Sequence, residues 1–367
     1  MGIAGQGAIC RAILARAVPS PPCRDNQCMS PITTTALPGT LLRPYPKVVG
    51  LLAALVTVVI WTAFIVVARA SADPARAPTL TPVDIVFARL LGAGLILLPL
   101  GWWLTQTQRI RQREAGQQPT AGSLGGFSPL PLRTTVLTGL FGGLIYGLLA
   151  YSGFAFAPAA HASVLMPGSL PLWTALLAVF LLGDRITPSR AIGLVCIVAG
   201  DLLVGGASLL HALDGSGVWR GDVLFVLAAF TWSCYSVLVR KHALQAVHAT
   251  TAITVFAFFV FVPVYLLLVW AGAVQGHVLT APLREVLWQM LMQGVGSVVV
   301  SGISFNMMIR AYGPVRSTML TAVVPGMSAL AAALVLGEPL PWNVLTGLTL
   351  VTAGIVFGVS QAGVKKP

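Results

Sequence analysis

The sequence predicts an all-α integral membrane protein of ten transmembrane helices built as two inverted five-helix repeats. Three observations carry that expectation: the composition, the length of the apolar runs and an internal repetition. Apolar residues make up 56% of the 367 positions and charged residues 9%, against about 45–50% and about 25% in soluble domains. Such a chain cannot cover a water-facing surface. A bilayer core about 30 Å thick needs about 20 apolar residues per crossing, and ten runs of about that length follow one another along the chain.

The first run, 47–68, is followed by Arg69 and Arg76, and the second, 82–104, carries Asp84 in its first turn, where a carboxylate offsets the helix macrodipole. A loop over about 105–133 leads to the third run, 134–156; its length makes it the expected flexible insertion. The fourth, 160–182, contains Pro167 and Pro171 and ends in Gly183-Asp184; the fifth, 189–207, carries Asp201. The sixth, 221–240, has Asp222 in its first turn, and the seventh and eighth cover 249–272 and 287–309. Pro325-Gly326 interrupts the ninth, 316–337, which ends in Gly337-Glu338, and the tenth covers 341–360. Residues 1–46, rich in Pro and Thr, read as a disordered cytoplasmic tail and 361–367 as a second one. The first 46 residues hold no compact apolar core, so no cleaved signal peptide is expected, and Met29 offers an alternative start.

The net charge of +12 does not point to nucleic acid, because the basic residues are spread over short inter-helix loops and form no basic domain. They sort by side instead. With the N-terminus inside, the inner loops and tails collect Arg11, Arg16, Arg24, Arg43, Lys47, Arg109, Arg111, Arg113, Arg133, Arg185, Arg190, Arg240, Lys241, Arg310, Arg316, Lys365 and Lys366. The outer loops hold only Arg69, Arg76, Arg220 and Arg284, and Arg89 lies within a run. The positive-inside rule then puts both termini in the cytoplasm of a multi-pass inner-membrane protein. Cys10, Cys23 and Cys28 fall in the tail, and Cys196 and Cys234 within helices, so free thiols are expected.

A shift of 154 residues lays the fourth and fifth runs on the ninth and tenth. Ser163 meets Ser317, Pro171 meets Pro325, Leu182-Gly183-Asp184 meets Leu336-Gly337-Glu338, and Ala199-Gly200 meets Ala353-Gly354. A shift of 171 lays Trp61 and Arg69 on Trp232 and Arg240. Repeats of five crossings, 47–207 and 218–360, must enter the bilayer from opposite sides, and inverted repeats are a transporter signature.

On these residues the chain resembles the drug/metabolite transporter superfamily, in its EamA-type branch, over about 47–360. Trp61-Thr62-Ala63-Phe64 is similar to the family's first-helix Trp followed by a small residue, and Arg89 to the Arg of its second helix. Pro171 with Gly183-Asp184-Arg185, and Pro325 with Gly337-Glu338-Pro339, resemble its Pro-containing helix ending in Gly-Glu. The departures are Ala88 and Leu90 flanking Arg89, Asp184 in place of Glu, and Pro339 in place of a basic residue. The resemblance implies export or exchange of amino acids, metabolites or drugs, often coupled to an ion gradient, with no cofactor.

Charges at membrane depth are functional candidates. Asp201 follows Ser189 by 12 residues, about 18 Å of helix, which leaves about 12 Å to the outer boundary. Arg89 follows Pro82 by seven residues, about 10 Å from the same boundary. The equal depths make Arg89 and Asp201 a candidate ion pair or shared polar cavity. Asp84, Asp184, Asp222 and Glu338, at helix ends, are read as structural. His161, in the first turn of the fourth run, is a candidate proton gate, since histidine changes charge near neutral pH; a solvated helix end is the favoured reading of it. The matched proline breaks mark a binding site near the midplane, for which Trp61, Tyr146, Tyr151, Pro171, Trp173, Trp232, Tyr235, Asn306, Met307, Pro325 and Ser328 form the candidate lining.

Other classes lack their residues. Gly326-Met327-Ser328-Ala329 has no later histidine to act as base, and Ala199-Gly200-Asp201 has no second deep aspartate to share a proton. Four lysines, none after a Gly-rich loop, give no phosphate-binding motif, and no Cys/His cluster has metal-ligand spacing. The expected partners are the lipid bilayer, a small-molecule substrate and protons, with the protein a monomer or homodimer. Importer, exchanger and channel are the alternatives within the membrane class.

Overall fold

The computed structural model describes residues 46–120, 122–210, 217–321 and 323–360; the tails expected at 1–46 and 361–367 lie outside them, apart from Pro46. Among the described residues, eight helices are long and apolar enough to cross a membrane. They are α1 (Lys47–Ala72), α2 (Pro82–Glu114), α3 (Leu132–Phe156), α4 (Ala159–Leu182), α5 (Pro188–Leu210), α6 (Val218–Lys241), α7 (Ala246–Trp270) and α8 (Leu283–Tyr312). Two shorter apolar helices follow, α9 (Val323–Leu336) and α10 (Trp342–Ser360).

Local chemistry sets several ends. Thr81 and Asp84 form a reciprocal capping box with Pro82 in the first turn of α2. Gly183 and Gly337 both take φ of 70°, the left-handed conformation that closes a helix and that glycine adopts without steric cost. Each thereby turns the following acid, Asp184 or Glu338, out of the helix axis.

One boundary differs from expectation. Helix α2 continues to Glu114, so the expected 105–133 loop is partly helical. Its later part is tied down: Ser123 Oγ donates to the Leu130 carbonyl at 2.8 Å, and the Ser128 and Thr135 hydroxyls meet at 2.7 Å. Hydrogen bonds that composition does not advertise replace the flexible insertion. Near the other end, helix continues from α8 through Ser301–Thr321, and the helical residues Val323–Leu336 contain Pro325.

The bundle is inside out by the standard of soluble proteins. Leu51, Leu55, Leu95, Phe180, Val195 and Leu334 are exposed, whereas Thr57, Asp84, Arg89, Gln293, Asn306 and Ser328 are buried. That distribution suits hydrocarbon as the solvent, where polar groups must be satisfied internally. Small residues set the closest crossings. A methyl group built on Gly200 would stand 2.6 Å from the Gly347 carbonyl oxygen, and one on Gly354 would stand 2.6 Å from that of Gly193; α5 and α10 therefore meet backbone to backbone.

The packing partners recur along the chain. Helix α1 packs on α8 and α9, and α6 packs on α3 and α4; α2 packs on α7 and α8, and α7 on α2 and α3; α4 packs on α9 and α5 on α10. Adding five to each element number, and counting on from α1 after α10, maps this set onto itself.

Candidate functional site

Arg89 lies on the buried face of α2, 6% exposed. Helix α2 crosses α8 at Gly92 and Gly294. A methyl on Gly92 would lie 2.4 Å from the Met290 carbonyl oxygen, and one on Gly294 would lie 2.7 Å from the Arg89 carbonyl oxygen. That approach brings Gln293 and Ser297, on a π-helical stretch Met290–Val300, up to the guanidinium. Arg89 Nη1 donates to Ser297 Oγ at 3.0 Å, Tyr151 Oη at 3.2 Å and the Gln293 carbonyl at 3.4 Å. The Tyr151 hydroxyl donates in turn to Gln293 Oε1 at 2.8 Å, and the guanidinium stands 5.7 Å from the Tyr151 ring centre. Among the described residues no carboxylate oxygen lies within 4.0 Å of Arg89. A buried cation met only by neutral dipoles forgoes the pairing that offsets its desolvation.

The guanidinium borders a narrow cleft of about 30 Å³, to whose walls α1, α2, α3, α4, α6, α8 and α9 all contribute side chains. Its walls are aromatic. The Tyr146 and Trp232 ring centres are 4.8 Å apart, Trp61 meets Trp232 edge to face at 6.3 Å, and Met166 and Pro167 close one side. Trp61 Nε1 donates to Ser301 Oγ at 3.2 Å; Trp232 Nε1 is buried without a partner among the described residues. Behind Trp232 lies Tyr235, its ring 5.2 Å away, and Asn306, which donates to the Gly302 carbonyl at 2.8 Å and approaches the Tyr235 hydroxyl at 3.5 Å. Three π-helical stretches adjoin the cleft: Leu140–Ile145 just before Tyr146, Val164–Gly168 containing Pro167, and Met290–Val300. Such stretches widen the helix and re-aim side chains. Among the described residues the lining holds no carboxylate, thiol or imidazole, and so offers no metal-ligand set.

The structure therefore brings together Trp61, Arg89, Tyr146, Tyr151 and Trp232, with Tyr235 and Asn306 behind them. The other candidates lie elsewhere. Asp201 is not the partner of Arg89: it lines a separate, largely apolar crevice with Trp173, Trp219 and Asp222, and its Oδ1 is buried without a hydrogen bond to any described residue. Equal depth fixes only the coordinate along the membrane normal. Laterally, α5 is held to α10, whereas α2 is held to α7 and α8. Trp173 lines that crevice and not the cleft, and its ring packs on Phe230. His161 is not a solvated helix end, because its Nδ1 lies 2.9 Å from Asp222 Oδ1 with 12% of the side chain exposed. Met307 packs beside Phe305 and Met308, and Ser328 donates to Ser163 Oγ at 2.8 Å. Pro167 and Val324 line the cleft where Pro171 and Pro325 were expected. Gln293 and Ser297 escaped the sequence reading; an uncharged Gln inside the run Leu291-Met292-Gln293-Gly294-Val295 was the available signal.

Fold and cleft together define a multi-pass helical membrane protein with a polar-aromatic site among its helices, the class of small-molecule transporters. Sequence comparison makes the assignment specific: the EamA-like transporter family matches residues 48–206 and 219–360, and the chain belongs to that family. It is 24% identical over 228 residues to the uncharacterized transporter YoaV of Bacillus subtilis, covering 61% of this chain and 74% of that one. It is 26% identical over 230 residues to a probable amino-acid metabolite efflux pump of Salmonella typhimurium, covering 58% and 75%. A solved crystal structure shares the fold, with a TM-score of 0.53 at 18% identity over 87% of this chain and 99% of that one.

Proposed function

We propose that this protein is a secondary active transporter that exports small molecules across the cytoplasmic membrane. It works by alternating access between inverted repeats 47–207 and 218–360, with ten spans and cytoplasmic termini. One observation carries the reading: a cleft between the repeats with a bridging ion pair toward each end. Arg69 Nε lies 2.9 Å from Glu338 Oε1, and Arg240 lies 2.7 Å and 3.1 Å from the two oxygens of Asp184. Each pair joins one repeat to the other, and each acid follows the glycine that ends its helix. The two pairs are related by the same shifts of 171 and 154 that define the repeats, and because five crossings separate them they fall at opposite membrane faces. The twofold family match and the recurring helix pairs support the same symmetry.

The two ends are unequal. Arg69 also donates to the Phe154 carbonyl at 2.7 Å and lies 3.2 Å from Asp73; Glu338 also accepts from the Ala159 N–H at 2.8 Å. The side chains of that pair are 12% and 11% exposed, against 42% and 26% for Arg240 and Asp184. The lighter closure faces the cytoplasm in the positive-inside orientation, which suits loading from within, and two of the relatives are named as probable efflux pumps. Purified protein in sealed vesicles should show saturable, gradient-driven exchange. Non-saturable conductance would identify a channel and overturn the proposal.

Proton coupling we assign to His161 and Asp222, whose Nδ1 and Oδ1 lie 2.9 Å apart; Asp222 lines the same crevice as Asp201 and accepts a hydrogen bond from Ser208. Asp222→Asn is expected to abolish the response of flux to an imposed pH gradient while exchange at equal pH persists. An unaltered gradient response removes the pair from the coupling role.

A further inference from the structure

We propose that the cleft takes an organic anion carrying an apolar, preferably aromatic, body, and that it discriminates against zwitterions and cations. This rests on the transporter reading of the same cleft, and deepens it to a substrate class. Unfilled hydrogen-bonding capacity points to such a ligand. All three hydrogen bonds of Arg89 leave from Nη1. A guanidinium has five N–H donors in a planar fork, so Nη2 and Nε remain without a protein partner among the described residues. Trp232 Nε1, on the facing wall, and Gln293 Nε2, beside Arg89, are buried donors with no acceptor among those residues. What the site leaves open is donor capacity together with one uncompensated positive charge.

Two of the acceptors nearby are already committed: Gln293 Oε1 receives the Tyr151 hydroxyl and Ser301 Oγ receives Trp61 Nε1. The Tyr146 hydroxyl donates to Met166 Sδ at 3.7 Å, which leaves its oxygen able to accept. A carboxylate offers the complementary set, four lone-pair sites in a plane that a guanidinium fork can engage with two N–H groups. The rest of the ligand meets Trp61, Phe64, Tyr146 and Met166, a surface suited to a ring and lacking a counter-ion for an ammonium group. An amino acid would place its ammonium near the Arg89 charge with no carboxylate in the lining to receive it, a like-charge juxtaposition that a specific site uses to reject a ligand.

Three compounds with one ring and one chain length separate the possibilities: 3-phenylpropanoate as anion, phenylalanine as zwitterion and phenethylamine as cation. Binding to the purified full-length protein is read by tryptophan fluorescence and calorimetry, and uptake of each labelled compound is read in sealed vesicles. The expected order is 3-phenylpropanoate first, phenylalanine weaker by about tenfold or more, and phenethylamine weakest. Arg89→Gln should cut 3-phenylpropanoate affinity by about tenfold or more and erase the preference for the anion. Should that variant fail to fold, Trp232→Phe keeps the ring and removes the N–H, and should weaken the anion alone by about threefold to tenfold.

Equal or tighter binding of phenethylamine or phenylalanine overturns the inference, as does binding of none of the three, or an anion preference that survives loss of Arg89. Saturable flux of phenylalanine or phenethylamine without the anion leaves the transporter standing and removes this substrate class. Anion binding in the expected order with no flux of any compound retains the anion site and removes the transporter.

Discussion

Replacing Glu338 with alanine is expected to cost about 3 kcal/mol of stability, the usual penalty for breaking a buried ion pair on one side, and to abolish vectorial flux. The side chain holds Arg69 through one oxygen and caps the Ala159 N–H through the other, so its loss leaves the Ala159 N–H uncapped and Arg69 Nε without its partner. Asp73, on the same helix turn as Arg69, recovers part of the charge but cannot reach across to the second repeat. Asp184→Ala, the counterpart in the other repeat, should cost under about 1 kcal/mol, because its pair with Arg240 is largely wetted and screened. Thermal unfolding in detergent compares the two variants directly. If Asp184→Ala proves as damaging as Glu338→Ala, the two closures are equal, and the inference of a lighter closure on the cytoplasmic side is wrong.

Gly92→Val should be at least as severe, about 3 kcal/mol or more, since overpacking a crossing against main chain cannot be relieved by a rotamer change. The new Cβ would meet the Met290 carbonyl oxygen at 2.4 Å. Separating α2 from α8 would also carry Arg89 away from Ser297 and Gln293, so binding at the cleft falls with stability. Gly326→Ala is the matched control: no described atom lies within 4 Å of a methyl group placed there, and the change should stay within about 1 kcal/mol of the parent. Melting curves of both variants, with 3-phenylpropanoate binding as the second readout, decide the point. A Gly92→Val protein that melts and binds like the parent would show that the crossing is not held by contact.

The features legible in the chain and those that needed the fold divide along a physical line. Run length against bilayer thickness, the bias of arginine and lysine among the loops, the two shifts of 154 and 171 and the depth of Arg89 are properties of one helix or of the chain order. All were readable without coordinates. The Gly-acid endings were readable too, though as structural ends only. It took the fold to show that each acid reaches an arginine of the other repeat. Asp201 and Trp173 were misplaced, and Gln293 and Ser297 missed, for one reason. Depth along a helix follows from counting residues at about 1.5 Å each, but the side to which a residue faces follows from where neighbouring helices touch. Those contacts depend on Gly92 with Gly294 and on Gly200 with Gly347, small side chains whose effect appears only when two backbones meet. Chain order alone thus points to a membrane-spanning protein with an internal repetition and an arginine within an apolar run. That this arginine stands in an aromatic cleft without an acidic partner emerges only from the packing of the helices, because a missing counter-ion is a fact about neighbours in space and not about neighbours along the chain.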